Sequence, residues 1–239
     1  MNDSIVHSFD PVTLLGGGEA SIADVHAAHA LAPMCVGADG GAELARIAGV
    51  ELDAIVGDFD SISLETLETV PLARRLHVSE QDSTDFNKAL RYIDAPVVVG
   101  VGFLGARLDH QLAALHVLAA HPDRSCVLLG PHEIAFLCPP QVHLKLNKSE
   151  VVSLFPLAPV TGTSKGLRWD IEGLAFDPMS FIGTSNEAVG PLTLTMNTPG
   201  MIVMLPRVHL AQVTQALARA PQAARWPVRA LQYKAPMQL

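Results

Sequence analysis

The hydrophobic and polar positions of this chain fall into two textures that meet near Pro139–Pro140. Before that point, short apolar runs alternate with stretches of helical spacing. Pro11–Gly18, Pro33–Ala38, Leu52–Gly57, Leu76–Ser79, Pro96–Val101 and Cys126–Gly130 read as strands, with Glu133–Cys138 a further one. Helices are expected at Ser21–Leu31, Ala42–Ala48, Ser63–Val70, Asp82–Ile93 and Gln111–Ala120. In the fourth of these, Phe86, Leu90 and Ile93 repeat on one face, with Asp82 or Ser83 as the cap. Strands alternating with helices predict an α/β unit with a parallel sheet. After Pro139 the helical spacing disappears. Short β-type runs (VHLKL, VVSLFPL, GLRWDI, FIGTSN, PLTLTM and GMIVML) are separated by turns, as in a small antiparallel sandwich or barrel. From Val208 to Leu239 the chain begins as a helix (HLAQVTQALARA) and ends in Pro-containing, irregular sequence.

Composition narrows the classes. At 239 residues, with 49% apolar and 17% charged residues, the chain can bury a sizeable core and is not a disordered one. Its formal charge of −8 and lack of any Lys/Arg-rich run argue against a general nucleic-acid binder. A negative chain that handles a negative nucleotide needs local compensation, which a divalent metal supplies. Cys35, Cys126 and Cys138 form no CxxC pair, which argues against a disulfide framework or a zinc site. Met1–Asp10 has neither a basic start nor an apolar core, so no signal peptide is expected. No stretch approaches the roughly 18 apolar residues of a membrane span. A reducing cytoplasm fits this pattern.

The candidate chemistry lies in acids that follow predicted strands: Asp39; Asp58 and Asp60; Asp82 and Asp85; Asp109. The turns beyond the carboxyl ends of parallel strands share one edge of the sheet, where ligands bind. In extended chain Asp58 and Asp60 would point the same way, with Phe59 opposite. Two carboxylates side by side repel unless a cation lies between them. Oxygen-only ligands of this kind suit Mg²⁺, which shares its shell with waters and phosphates. Capping accounts for one acid and Thr84 in the Asp82–Phe86 segment, but not for the cluster following a strand. Arg107 suits bidentate phosphate contacts; the plainer reading pairs it with Asp109 on the surface. Gly16–Gly18 can bring backbone close to a ligand or simply make a tight turn. His26 and His29 read as helix-surface residues. The chain shows no Lys-containing phosphate loop and no nucleophile–base frame.

Six short motifs occur in order: ADGG at Ala38–Gly41, GDFDS at Gly57–Ser61, QDSTDF at Gln81–Phe86, GARLDH at Gly105–His110, GLRW at Gly166–Trp169 and TSNE at Thr184–Glu187. Together they resemble the thiamine pyrophosphokinase family. The resemblance implies an α/β fold: a Rossmann-like parallel-sheet nucleotide domain over residues 1–139, then a smaller all-β sandwich domain over 140–239, in a homodimer. It implies transfer of a pyrophosphoryl group from Mg-ATP to the hydroxyl of thiamine, releasing AMP. On matching positions, Asp58, Asp60, Asp82 and Asp85 would hold Mg²⁺ and the phosphates. Asp39, Gly40, Gln81, Thr84, Arg107 and Asp109 would complete the nucleotide pocket. Thr184, Ser185 and Asn186 would lie near thiamine in a cleft shared with the partner subunit, and Asp85 would orient or deprotonate the attacking hydroxyl. Gly16–Gly18 and the tail after Val208, with Trp226 and Tyr233, carry no family signature, and the tail reads as packing or dimer material. Trp169 could stack on a thiamine ring, but the plainer reading is a buried core residue in a strand. A Mg²⁺-dependent phosphoesterase and a non-catalytic nucleotide or thiamine sensor are the alternatives on the same acids.

Overall fold

Apolar runs without alternation belong in strands covered on both faces. The computed structural model, which describes residues 6–80, 82–105, 107–221 and 224–229, buries them in that way. In chain order, β1 (Val6–His7), β2 (Val12–Leu15), α1 (Ile22–Leu31), β3 (Met34–Ala38) and α2 (Gly41–Ala48) come first. They are followed by β4 (Ala54–Gly57), α3 (Leu64–Glu68), β5 (Arg75–His77), α4 (Asp85–Arg91), β6 (Ile93–Asp94) and β7 (Val98–Val101). Next are α5 (Leu108–Ala120), β8 (Cys126–Leu129) and β9 (Glu133–Leu137). The remainder is β10 (Gln141–Leu144), β11 (Val151–Pro156), β12 (Val160–Leu167), β13 (Ala175–Phe176), β14 (Gly183–Met196), β15 (Met201–Pro206) and α6 (Leu210–Arg219). Every residue of β2, β4, β7 and β8 is buried.

The result is a mixed α/β fold. β2, β7 and β8 are parallel neighbours, and so are β3, β4 and β5. At β9 the direction reverses: β9 pairs antiparallel with β8 and then with β15. The ladder continues antiparallel through β11, β14, β12 and β13, with β10 also on β14. There β11 and β12 alternate buried and more exposed positions, the mark of a sheet with one face towards water. Among the described residues no helix is long and apolar enough to cross a membrane. Residues 1–5 of the Met1–Asp10 segment, and Tyr233, lie outside the described residues.

Local chemistry explains where the elements stop. Ser21 caps α1 in a reciprocal box with Asp24, and Gly49 ends α2 at φ 66°. α4 starts later than the periodicity suggests. Its cap is Thr84, because Ser83 Oγ instead donates to Glu80 at 2.5 Å. GTSN of the first run and PLTLTM, read as separate runs, are one strand, β14, with Phe181 and Ile182 before it. The first part of β14 pairs with β11, the part beyond Pro191 pairs with β10 and β12, and Ala188 also pairs with Leu167 of β12. β12 itself carries little apolar signal, because its inward positions include Gly162 and Ser164. Trp169 is not a core residue: it is 53% exposed. The chain leaves the ladder after Leu167, and Asn186 then grips the backbone of Trp169, accepting its N–H at 3.2 Å and donating to its carbonyl at 2.8 Å. The indole is left outside, with the Arg168 guanidinium 5.0 Å from its ring centre.

Two contacts tie distant segments and predict measurable effects. Trp226 donates its indole N–H to Cys138 O at 2.8 Å and packs on the core. Trp226→Ala is expected to cost about 2 kcal/mol in urea unfolding. Beyond α5, buried His121 reaches Asn87 of α4, Nε2 to Oδ1, at 3.0 Å. Burial, only partly opposed by the Asp123 carboxylate, pushes its pKa down to about 4. A histidine held neutral in this way stabilises the fold fully above its unfolded pKa of about 6.5, and the contribution fades as pH falls towards 4. Between pH 7 and pH 4.5 the wild type should therefore lose up to about 3 kcal/mol more than His121→Gln, compared by denaturant midpoints.

Candidate active site

Three glycine-bearing loops leave the carboxyl ends of β2, β3 and β7 and pack backbone against backbone. A Cβ at Gly41 would lie 1.9 Å from Leu15 O, and one at Gly18 would lie 2.4 Å from Gly102 O. Gly102 also sits at φ 80°. Only glycine allows this approach. The loops floor a cavity of about 530 Å³, whose walls include Asp39, Gly40, Thr84, Asp85, Phe103 and Arg107. Gly40, at the start of α2, lines the cavity and has no side-chain cap, so the positive end of the helix dipole favours an anion there. Gly41→Ala should separate the β2 and β3 loops and cost about 3 kcal/mol in urea unfolding.

The acids gather beside this cavity, though not by the extended geometry expected after β4. Phe59 turns into the left-handed region at φ 66°, and its N–H donates to Asp39 Oδ1 at 3.0 Å. That turn brings Asp58 and Asp60 round to Asp39, itself at φ 42° and only 3% exposed. One carboxylate oxygen from each of Asp39, Asp58 and Asp60 lies within 4.8 Å of the others. Burial raises the pKa of Asp39, as do the charges of Asp85 and Asp58, against hydrogen bonds from Gly40 and Ser61. The crowding is therefore costly without a cation. Mg²⁺ binds oxygens at about 2.0–2.1 Å in an octahedron, so oxygens across it stand about 4 Å apart. The all-oxygen donor set suits such an ion, which would draw the three oxygens together.

A residue that the sequence reading missed completes the cluster. Lys88 is 2% exposed, with Nζ 3.0 Å from Asp85 Oδ1 and 3.3 Å from Asp58 Oδ2. Burial works against its charge, but hydrogen bonds and charges from Asp85 and Asp58 outweigh it and raise its pKa. The available signal was a lysine one turn after Asp85 inside a run, Phe86–Leu90, that is otherwise without charge and is buried throughout.

The other expected residues are placed as follows. Thr84 is exposed at the cap of α4 and Asp82 is exposed before it; Gln81 lies outside the described residues. Arg107 and Asp109 are mostly exposed and paired to one another, Nε to Oδ1 at 3.1 Å, and of the two only Arg107 lines the cavity. Their pairing raises the pKa of Arg107 and lowers that of Asp109. Thr184 and Ser185 are exposed on β14, and Asn186 is buried against Trp169; none of the three lines the cavity. His26 is exposed and His29 half-buried on α1.

Comparison with known proteins adds the following. The family description "Thiamin pyrophosphokinase, catalytic domain" matches residues 26–128, and "Thiamin pyrophosphokinase, vitamin B1 binding domain" matches residues 141–199. Thiamine pyrophosphokinase 1 of Arabidopsis thaliana is 29% identical over 153 residues, covering 56% of this chain and 57% of that protein. Thiamin pyrophosphokinase 1 of Caenorhabditis elegans is 27% identical over 150 residues, covering 56% and 61%. The chain thus matches less than two thirds of the length of these relatives. Among solved structures, thiamin pyrophosphokinase from Candida albicans superposes with a TM-score of 0.69 at 17% identity, covering 86% of this chain and 97% of that one. The thiamine pyrophosphokinase of Bacillus subtilis gives 0.67 at 20% identity, covering 82% and 98%. At these identities the superpositions speak for the fold.

Proposed function

This chain belongs to the thiamin pyrophosphokinase family, and from that premise we propose that it transfers a pyrophosphoryl group from Mg-ATP to the hydroxyl of thiamine, giving thiamine diphosphate and AMP. The observation that carries the reading is the Asp39–Asp58–Asp60 group beside a glycine-floored cavity. It is built to hold an anionic ligand together with a divalent cation. We read the chain as a Rossmann-like parallel-sheet domain over 1–139 and a β-sandwich domain over 140–239. The two family matches fall on either side of that boundary.

Asp58, Asp60, Asp82 and Asp85, joined by Asp39, would hold Mg²⁺ and the phosphates. When bound, Mg²⁺ would neutralise charge on the triphosphate and on the phosphorus undergoing displacement. Gly40, on the cavity wall and without a side chain, would let the phosphates approach the backbone closely. Gln81, Thr84, Arg107 and Asp109 complete the nucleotide pocket, with Arg107 turning from Asp109 to a phosphate. The thiamine hydroxyl attacks the β-phosphorus in line, the bond to the α-phosphate oxygen breaks, and AMP leaves with that oxygen. Asp85, at the cavity wall, accepts the hydroxyl proton. Thr184, Ser185 and Asn186 lie on another part of the chain, so we assign them to a thiamine cleft completed by the partner subunit of a homodimer. Exposed Trp169 beside them offers a face for a thiamine ring. Three buried, unpaired cysteines suit a reducing cytoplasm.

Phosphorus NMR of the reaction mixture tests this. Thiamine diphosphate and AMP should appear in equal amounts, stop on chelation with EDTA and resume with Mg²⁺. Thiamine monophosphate with ADP would replace the proposal with a single phosphoryl transfer.

A further inference from the structure

Burying a lysine is expensive unless its charge is matched, and pairs of this kind are poor devices for stability alone. Lys88 is nevertheless buried in the acid cluster, with one carboxylate from β4's exit (Asp58) and one from α4's first turn (Asp85). It does not line the cavity, whereas Asp85 does. α4 is seated independently of this lysine: Thr84 caps it, Asn87 meets His121, and Phe86 packs on Phe103 with ring centres 4.3 Å apart. The helix therefore has other anchors. What Lys88 alone supplies is a positive charge between two elements that each contribute an acid to the site.

We propose that Lys88 is a positioning residue, a built-in counter-ion that aligns Asp85 with the Asp39–Asp58–Asp60 group and competes with the divalent cation for their negative charge. The ammonium fixes the direction of Asp85 before any ligand arrives. It also keeps the acid group from holding a metal too tightly in the absence of nucleotide. Lys88 touches neither substrate in this account; it acts through Asp85 and Asp58. The consequence for turnover rests on the pyrophosphoryl transfer proposed above, whereas the consequence for metal affinity does not.

The test is Mn²⁺ titration of the full, nucleotide-free chain by electron paramagnetic resonance, alongside steady-state kinetics, for wild type, Lys88→Met and Lys88→Arg. Removing the ammonium should tighten Mn²⁺ binding about tenfold, since a unit charge at this distance from the ligands is worth at least that much. At the same time kcat should fall about a hundredfold, with KM for ATP and for thiamine each within about threefold, as expected for a lost alignment and not lost binding. Lys88→Arg keeps the charge and should hold Mn²⁺ as the wild type does, with kcat at least about tenfold above that of Lys88→Met. A lysine that merely supported the fold would weaken metal binding when removed. Unchanged or weaker Mn²⁺ binding in a folded Lys88→Met, or an unchanged kcat, overturns the proposal. Should Lys88→Met not fold, Asp85→Asn/Lys88→Met removes the pair without changing net charge. Its Mn²⁺ affinity should stay within about threefold of wild type, and a loss beyond tenfold overturns the proposal. A wild type that binds Mn²⁺ yet makes no thiamine diphosphate overturns the proposed reaction instead, and the titration still decides the role of Lys88.

Discussion

Asparagine in place of Asp58 is expected to lower thiamine-dependent AMP formation by at least about a thousandfold, the scale of a lost electrostatic partner of transferring phosphates. Asp58 has two roles: one of its oxygens belongs to the three-carboxylate group, and Oδ2 faces Lys88 at 3.3 Å. The substitution keeps the shape and removes the charge. The amide that replaces the carboxylate would offer the cation one weak carbonyl oxygen, and the buried ammonium would rely on Asp85 alone. Mn²⁺ binding should drop about a hundredfold in the same variant, while the circular dichroism spectrum stays that of the wild type. Activity within tenfold of wild type would remove Asp58 from the site.

Asp85→Asn should be as damaging to turnover, about a thousandfold, but by a different route. Asp85 lies on the cavity wall at the first turn of α4, and we assign it the proton of the attacking hydroxyl. It is outside the closely grouped trio, so Mn²⁺ binding to the nucleotide-free chain should fall by about tenfold, well short of the loss in Asp58→Asn. Lys88 keeps Asp58 as a partner, and Thr84 still caps the helix, so the fold should survive. The pair of variants separates holding the ion from performing the transfer. If Asp85→Asn lost metal and activity together, the two roles could not be divided in this way.

Much of the fold was legible because its strands and helices obey simple periods. The apolar runs of β2, β4, β7 and β8 are covered on both faces, and nothing in their surroundings competes with that reading. Legibility fails where a strand is lined by small residues, as in β12, or where one strand serves several neighbours, as β14 does with β10, β11 and β12. Trp169 shows the limit of residue type as a guide. A large aromatic suggests a core, yet Asn186 fixes its backbone where the ring faces water. The acid motifs were legible as residue types at strand ends. Their geometry was not, since the grouping depends on left-handed conformations at Asp39 and Phe59, which side-chain alternation does not foresee. Lys88 was overlooked for a related reason: its meaning comes from Asp58, thirty positions away in sequence.

These acids are proposed to serve transfer to an acceptor and not hydrolysis or sensing, and chromatographic measurement of AMP released from Mg-ATP, with and without thiamine, decides between them. AMP should form only when thiamine is present, accompanied by thiamine diphosphate. ADP or free phosphate formed without an acceptor, or binding of both ligands with no turnover, would contradict the proposed transfer.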